Sequence, residues 1–223
     1  MLGREDDKIV GNKLREYLLS LLPEDIGILK EIKDRALREG VPLLMEETAR
    51  FLEVLVRLKK PQRILEAGTG IGYSSILMCK ALEGNVRIDT IESNFDSASE
   101  AKNNIKKAGY EQHIHVIVGD VIDVFSNLQG QYDMIFMDAA KSLYKEALPL
   151  CTRLLKEEGL LISDNVLFKG MISDLEVDVK KHRTIIRSMR EYLDLLCHEG
   201  TYATSLIPLG DGVAVSLKNK ENR

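Results

Sequence analysis

Two largely apolar runs in the second half of the chain each end in an aspartate. Residues 134–137 lead into Asp138, and residues 160–163 lead into Asp164, which Asn165 follows directly. If the runs are neighbouring strands, the two carboxylates and the amide oxygen of Asn165 meet at one point of the sheet edge. Oxygen ligands without Cys or His suit a hard cation, so we predict a site for Mg²⁺ (or Mn²⁺) at Asp138, Asp164 and Asn165. The alternative is that these residues are loop acids and helix caps.

A lysine lies one helical turn beyond the first of these acids. Lys141 follows Asp138 in the sequence Asp-Ala-Ala-Lys and can reach the same point. A lysine beside a metal ion can take a proton from a hydroxyl group, which makes Lys141 and Asp138 candidate catalytic residues. The alternative is a solvated lysine at the start of a helix.

A third chemical signal is the glycine-rich stretch 66–74, Glu-Ala-Gly-Thr-Gly-Ile-Gly-Tyr-Ser, which follows an apolar strand. Glycine allows a tight turn and a close approach of a ligand to the backbone. The spacing of Gly68, Gly70 and Gly72 is Gly-x-Gly-x-Gly, whereas the dinucleotide fingerprint is Gly-x-Gly-x-x-Gly. Together with Glu66, two residues before the first glycine, this spacing favours S-adenosylmethionine over NAD. The alternative is an ordinary glycine-rich turn.

Two further acids lie at the ends of the following strands. Glu92 comes twenty-two residues after Gly70, a distance that suits a carboxylate on a ribose diol. Asp120 can accept a hydrogen bond from an adenine amino group, or it can cap the helix that begins at Val121. The two interpretations of Asp120 are compatible.

Strand and helix patterns alternate from residue 61 onwards, which predicts an α/β fold with a doubly wound, mostly parallel seven-stranded sheet. The last two strands, Tyr202–Pro208 and Val213–Leu217, are joined by only four residues and must therefore form an antiparallel C-terminal hairpin. The other predicted strands are 63–67, 86–91, 113–118, 132–137 and 158–163. The predicted helices are 72–82, 95–108, 121–128, 142–156 and 178–197.

Three amphipathic segments precede this core, beginning near Leu14, Ile28 and Glu46. We predict a single domain over 1–223, with a helical N-terminal extension at 1–60 and an α/β core at 61–223. The chain is long enough for one such domain and short for two.

The composition limits which partners the chain can bind and in which compartment we expect it. The chain has 223 residues and a net charge of −4, so a nucleic acid could bind only at a local basic patch. No apolar run approaches the ~18 residues of a membrane span, and no signal sequence precedes the core. The three cysteines are odd in number and lie in helical patterns, which predicts buried thiols and a cytoplasmic protein.

With these residues identified, residues 40 to 217 resemble the divalent-metal-dependent O-methyltransferases that include catechol and caffeoyl-CoA methyltransferases. The matching segments are 66–74, Phe-Met-Asp-Ala-Ala-Lys at 136–141 and Asp-Asn-Val-Leu-Phe-Lys-Gly at 164–170. Within that family the chain looks closest to the bacterial tRNA 5-hydroxyuridine methyltransferases, on segments 163–170 and 208–212. The resemblance implies a Rossmann-like class I methyltransferase fold and a homodimer. It also implies metal ligation by the three residues above, Lys141 at the reacting hydroxyl, and cofactor contacts at Leu44, Ser74, Glu92, Asp120, Val121 and Asp138.

A row of cations on the last predicted helix bears on the substrate. At helical spacing they occupy one arc and could hold the phosphates of a tRNA anticodon loop, although an acidic stretch at 171–178 precedes them. These residues are Lys180, Arg183, Arg187 and Arg190. The alternative is a solvated helix face balanced by Glu191 and Asp194.

Three functions are therefore open. The first is methylation of 5-hydroxyuridine at the tRNA wobble position to give 5-methoxyuridine. The second is methylation of a small vicinal diphenol by the same chemistry, because a catechol also offers two adjacent oxygens to a metal. The third is a non-catalytic cofactor-binding module, which the presence of Asp138, Asp164 and Lys141 disfavours.

Overall fold

A computed structural model describes residues 11–173 and 182–220. Its strands are β1 (Arg63–Ala67), β2 (Arg87–Glu92), β3 (Ile114–Val118), β4 (Tyr132–Met137), β5 (Leu155–Asp164), β6 (Tyr202–Ile207) and β7 (Val213–Lys218). They form one seven-stranded sheet in the order β3-β2-β1-β4-β5-β7-β6. Strands β1 to β5 are parallel, and β7 is antiparallel to both β5 and β6. The predicted mixed sheet with its C-terminal hairpin is confirmed.

Most of the described helices pack on the two faces of this sheet. The helices are α1 (Asn12–Ser20), α2 (Ile28–Glu39), α3 (Glu46–Lys59), α4 (Tyr73–Ala81), α5 (Phe95–Lys107), α6 (Val121–Asn127), α7 (Tyr144–Leu154) and α8 (Arg183–His198). A single 3₁₀ turn, Lys141–Leu143, leads into α7. The three predicted N-terminal helices are present, and the predicted start of the last helix lies outside the described residues.

The two-sided core follows from the alternation of side chains along each strand. Ile64 and Phe136 point to one face, where α2, α3, α4 and α5 pack. Their strand neighbours Leu65 and Ile135 point to the other face, where α6, α7 and α8 pack. Residues 134–137 of β4 and 160–163 of β5 are buried on both faces of the sheet, which is why they read as largely apolar runs.

The junction of α7 and β5 differs from the prediction. The sequence pattern predicted a helix to residue 156, whereas α7 ends at Leu154 and β5 begins at Leu155. The ammonium group of Lys218 donates to the carbonyl oxygens of Thr152 (2.7 Å) and Leu155 (2.9 Å) and so satisfies the end of the helix. This contact comes from the far end of the chain, and a local pattern cannot contain it.

The N-terminal helices are unequally packed. Helices α2 and α3 bury Leu29, Ile32 and Leu52 in the core, whereas the apolar stripe of α1 stays exposed, with Leu14 at 54% and Tyr17 at 60%. An ion pair of 2.8 Å joins Arg15 of α1 to Glu47 of α3. The predicted homodimer stays a prediction, and so does the division of the chain at residue 60.

Two predictions from composition can be compared with the structure. Cys79 and Cys151 are buried as expected, but Cys197 is exposed, so the prediction of three buried thiols is wrong for Cys197. It lies near the end of α8, where the apolar stripe faces the sheet and Cys197 faces outward. Among the described residues, no helix is both long and apolar enough to cross a membrane.

Candidate active site

A cleft of about 380 Å³ lies beyond the carboxyl ends of β1 and β4. These neighbouring strands are where the strand order reverses, and in open α/β sheets ligands bind at that point. We name its two halves by their residues. The glycine end comprises Gly68, Gly70, Ser74 and Glu92, and the acid end comprises Asp138, Asp164 and Asn165. Lys141 is not among the residues that line the cleft, but its ammonium group contacts Asp138, and we count it with the acid end. A larger, more open groove between α2 and α5 carries mixed charges and none of the predicted site residues.

Glycine occurs at positions 68 and 70 for two different physical reasons. Gly68 has φ 99°, and a Cβ there would lie 2.1 Å from the carbonyl oxygen of Asp138, so close packing of two strand ends requires glycine. At Gly70, with φ 52°, an added Cβ would meet nothing within 4 Å. Gly70 therefore faces open space within the cleft, where a ligand can approach the main chain.

Glu92 fastens this loop to the end of β2. Its carboxylate accepts from the backbone N–H of Gly70 (2.9 Å) and from that of Asn94 (2.9 Å). Each carboxylate oxygen has a further lone pair, so two hydroxyl groups of a ribose can still be accepted. The structure thus places Glu92 on the cleft wall, as the spacing predicted.

Of the other predicted cofactor-binding residues, some line the cleft and Glu66 lies beneath it. Leu44, Ser74, Asp120 and Val121 all line the cleft. Asp120 also caps α6, because its carboxylate accepts from the N–H groups of Ile122 (2.8 Å) and Asp123 (3.2 Å). Asp120 therefore caps α6 and lines the cleft, and its contact with a cofactor stays a prediction.

Glu66 differs from this group because it lies beneath the cleft. Its side chain is fully buried and accepts hydrogen bonds from the hydroxyl groups of Ser75 and Thr90. Burial raises the pKa of the Glu66 carboxyl to about 7, and the second carboxylate oxygen has no partner. Glu66 supports the loop from below, and it is not among the residues that line the cleft.

The acid end brings together the strand ends predicted to meet. Asp138 follows β4, Asp164 closes β5, and both line the cleft beside Asn165. Burial, and next the charge of Asp138, raises the pKa of Asp164 to about 7. Two carboxylates that disfavour each other's charge, beside an amide oxygen, form a donor set that suits a hard divalent cation. No group of three His, Cys, Asp or Glu that could hold a metal occurs in the described part of the chain.

Lys141 lies behind Asp138. Its ammonium group donates to Asp138 Oδ1 (3.3 Å), the carbonyl oxygen of Ala139 (3.2 Å) and the hydroxyl of Tyr144 (3.1 Å). The Tyr144 hydroxyl also lies within hydrogen-bond distance of the carbonyl oxygens of Met137 (2.8 Å) and Asp164 (3.0 Å). Tyr144 therefore ties the lysine to both strand ends.

The loop after Asp164 is braced by the turn between β6 and β7. Val166 and Leu167 donate their N–H groups to the carbonyl oxygens of Gly212 (3.0 Å) and Asp211 (2.9 Å), and the Asp211 carboxylate accepts from the N–H of Lys169. The hairpin thereby supports a loop that begins with Asn165 in a left-handed conformation, at φ 54°.

The predicted arc of cations is only partly described. Lys180 lies outside the described residues. Arg183 and Arg187 are exposed on α8, and Arg187 lies 3.9 Å from Glu191. Arg190 is half-buried and donates to the carbonyl oxygen of Ile172 (2.8 Å), so it differs from an outward cation.

The sequence did not predict the supporting roles of Tyr144 and Asp211. Tyr144 lies inside the predicted helix 142–156, and Asp211 lies in the short link between the last two strands. A polar residue three positions after Lys141 was the one local signal for Tyr144.

The chain is similar in sequence to known O-methyltransferases. Residues 22–219 match the model of a protein family described as O-methyltransferase. The chain is 33% identical to the catechol O-methyltransferase of Niastella koreensis, over 71% of this chain and 74% of that protein. It is 27% identical to the caffeoyl-CoA O-methyltransferase of Populus kitakamiensis, over 91% of this chain and 92% of that protein.

Solved structures give the same result. A Staphylococcus aureus protein provisionally assigned as a caffeoyl-CoA O-methyltransferase superposes with a TM-score of 0.86 at 31% identity, over 93% of this chain and 100% of that chain. The O-methyltransferase of tomaymycin synthesis from Streptomyces achromogenes, solved in complex with SAM, has a TM-score of 0.82 at 25% identity, over 94% of this chain and 97% of that chain.

Proposed function

The chain belongs to the O-methyltransferase family, and from this premise we propose that it transfers the methyl group of S-adenosylmethionine to one hydroxyl of a small vicinal diphenol. The observation that carries the proposal is the pairing of Asp138 with the buried Asp164 at one end of the cleft, facing the glycine end at the other. One end suits a nucleoside, and the other suits an acceptor with two adjacent oxygens. The names of the catechol and caffeoyl-CoA relatives favour a small phenol as that acceptor.

The glycine end would hold the cofactor. S-adenosylmethionine, when bound, supplies an electrophilic methyl group. Glu92 offers carboxylate oxygens to the ribose hydroxyls, and the main chain at Gly70 allows close approach. Leu43 and Leu44 add apolar lining that excludes water from the cleft.

The acid end would hold the acceptor. Asp138, Asp164 and Asn165 fit a divalent cation, which would supply positive charge that favours loss of the acceptor proton. Lys141 Nζ would accept that proton as the general base. The contacts of Lys141 with Asp138, Ala139 and Tyr144 fix the position of Nζ before the acceptor binds. Positioning of this kind supplies a large part of the rate enhancement in transfer reactions.

Methylation of 5-hydroxyuridine in tRNA is the second candidate. One observation favours it: α8, which carries the exposed Arg183 and Arg187, packs against the 3₁₀ turn that begins at Lys141. Cations therefore lie on the helix beside the acid end. Glu191 lies next to Arg187 and pairs with Lys145 at 2.6 Å, so this face is mixed in charge rather than basic.

The experiment compares matched acceptors. The full chain is incubated with radiolabelled S-adenosylmethionine, Mg²⁺ and either 3,4-dihydroxybenzoate or its isomer 3,5-dihydroxybenzoate. A third reaction contains tRNA that carries 5-hydroxyuridine. We expect methyl transfer to the 3,4-isomer alone, because only that isomer presents adjacent oxygens.

Each other outcome changes the proposal. Transfer to tRNA with none to vicinal diphenols replaces the small phenol by the second candidate. Equal transfer to both benzoate isomers contradicts the requirement for adjacent oxygens. Absence of transfer to any acceptor, with normal cofactor binding, contradicts both substrates.

A further inference from the structure

A buried carboxylate in the N-terminal region links three elements to one another. Asp25 lies between α1 and α2, and its side chain is only 2% exposed. Its Oδ1 accepts from Arg50 Nη2 of α3 (2.5 Å), and its Oδ2 accepts from the hydroxyl of Tyr73 of α4 (2.7 Å). Both carboxylate oxygens are therefore engaged, each by a different helix.

Arg50 fixes the segment around Asp25 in a second way. Its Nη2 also donates to the carbonyl oxygen of Pro23 (2.9 Å), and its Nη1 pairs with Glu53 (3.1 Å). The guanidinium thus grips the segment 23–25 by main chain and side chain together. Neither Asp25 nor Arg50 lines the cleft.

Tyr73 connects this cluster to the glycine end. It is the first residue of α4, follows Gly72 with its φ of 87°, and lines the cleft while being only 4% exposed. Burial, and next the hydrogen bond to Asp25, raises the pKa of the Tyr73 hydroxyl far above its ordinary value. The hydroxyl therefore stays a donor to Asp25.

A glycine-rich loop loses more conformational freedom on ordering than any other segment of its length. Glu92 holds this loop at Gly70, and Tyr73 holds it at its far end, one residue before Ser74. A loop that is ordered before the ligand arrives costs less free energy at the moment of binding.

We propose that Tyr73 and Asp25 are positioning residues for the cofactor, so that the segment between the first two helices is part of the cofactor site without touching the ligand. This inference rests on the proposed function, because it requires the glycine end to bind S-adenosylmethionine. It assigns to the N-terminal helices a role in affinity for the cofactor rather than for the acceptor.

Four variants of the full chain separate positioning from support of the fold. Tyr73→Phe removes only the hydroxyl, and Asp25→Ala removes the acceptor. Asp25→Asn keeps the side-chain shape but has a single amide oxygen, which can replace only one of the two carboxylate oxygens that accept from Arg50 and Tyr73. Glu53→Gln is the matched control, because it breaks an ion pair of the same guanidinium away from Tyr73.

The readouts are the Kd of S-adenosylhomocysteine by calorimetry and the KM of S-adenosylmethionine against kcat. For Tyr73→Phe and Asp25→Ala we expect both constants to rise roughly 3- to 10-fold, the equilibrium effect of about one hydrogen bond. At saturating cofactor, kcat should stay unchanged. Asp25→Asn should weaken binding less than Asp25→Ala, and Glu53→Gln should bind like the wild type.

A purely structural role would lower the melting temperature and the number of binding sites without moving the Kd. Wild-type affinity in Tyr73→Phe would therefore overturn the proposal, and this variant decides the matter if Asp25→Ala does not fold. Equal weakening by Glu53→Gln would also overturn it. Absence of binding by the wild type would refute the cofactor assignment itself, which is a distinguishable result.

Discussion

At the glycine end of the cleft the protein presents main chain, and at the acid end it presents side chains. The glycine end is local in sequence, with its loop at 68–72 and one distant acid, Glu92, that accepts from the N–H of Gly70. The acid end joins residues from β4, β5 and the turn before α7. The glycine end should therefore depend on backbone conformation, and the acid end on a few functional groups.

The largest expected effect is at the acid end. Asp164→Ala should abolish turnover, because it removes one of the two carboxylates that suit a divalent cation. Binding of S-adenosylhomocysteine should persist, since the glycine end is untouched. In the wild type, EDTA should abolish methyl transfer and Mg²⁺ or Mn²⁺ should restore it. Full activity in EDTA would contradict a metal site at the acid end, and Asp138 and Asp164 would then be ordinary loop residues.

Lys141→Ala should lower kcat by about 10²–10⁴, the usual contribution of a general base. Activity should recover partly at high pH, because the acceptor hydroxyl then ionises without help. Lys145→Ala is the matched control and should leave kcat unchanged, since it removes a nearby lysine that pairs with Glu191 and does not line the cleft. A Lys141→Ala variant with wild-type kcat would make Lys141 a structural partner of Asp138.

The third prediction concerns Glu66, which lies beneath the glycine end. Glu66 has a pKa of about 7 in the folded protein against an ordinary 4.5. The folded state thus binds the proton more tightly, so the stabilisation is complete below pH ~4.5 and is lost as the pH rises to about 7. The total loss is about 3 kcal/mol. Glu66→Gln should flatten the fall in unfolding free energy between pH 5 and pH 8, measured by urea denaturation. A slope identical to that of the wild type would contradict the assignment.

Site residues could be predicted from the sequence where their signal lies in a few consecutive residues. Gly68, Gly70 and Glu92 could be found because a turn and a strand end leave their mark on a few consecutive residues. Asp138 and Asp164 could be found because each closes an apolar run. The roles of Tyr144 and Asp211 could not, because their contacts with Asp164 and Lys169 join residues that lie far apart in the sequence.

The element boundaries show the same limit. At the end of α7, the carbonyl oxygens of Thr152 and Leu155 accept from the ammonium group of Lys218, more than sixty residues away. The exposure of Cys197 depends on which face of α8 meets the sheet. The role of Asp25 depends on Arg50 and Tyr73, which lie on two other helices. In each case the missing information is a tertiary contact.

Glu92→Ala should weaken cofactor binding by about 1–3 kcal/mol, the range for hydrogen bonds to a charged group. The variant also removes the acceptor of the Gly70 N–H. The lost binding free energy therefore includes both the contact with the ligand and the ordering of the loop. Calorimetry with S-adenosylhomocysteine measures the loss, and kcat at saturating cofactor should change little. A fall in kcat without a change in Kd would contradict this prediction, because Glu92 would then act in catalysis rather than in cofactor binding.

The smallest effect is expected on the outer face of α8, and it decides the substrate. A small phenol makes no phosphate contacts, so the double variant Arg183→Gln/Arg187→Gln should leave KM and kcat for 3,4-dihydroxybenzoate unchanged. Moderate salt should have no effect either. Lys30→Gln/Arg57→Gln, which removes two exposed cations on α2 and α3, is the matched control. Arg190 is left in place because its bond to Ile172 supports the loop beside the helix.

The same pair of variants reports on tRNA. If the arginines held phosphates, each substitution would reduce the slope of log K against log salt by up to about one unit, whereas the control would leave it unchanged. Selective loss of the tRNA reaction would show that the acid end accepts a base delivered by α8. Because the two adjacent oxygens are common to 5-hydroxyuridine and to a catechol, the chemistry at Asp138 and Asp164 would be the same in either case. The acid end would then set the reaction, and the surface around it would set the substrate.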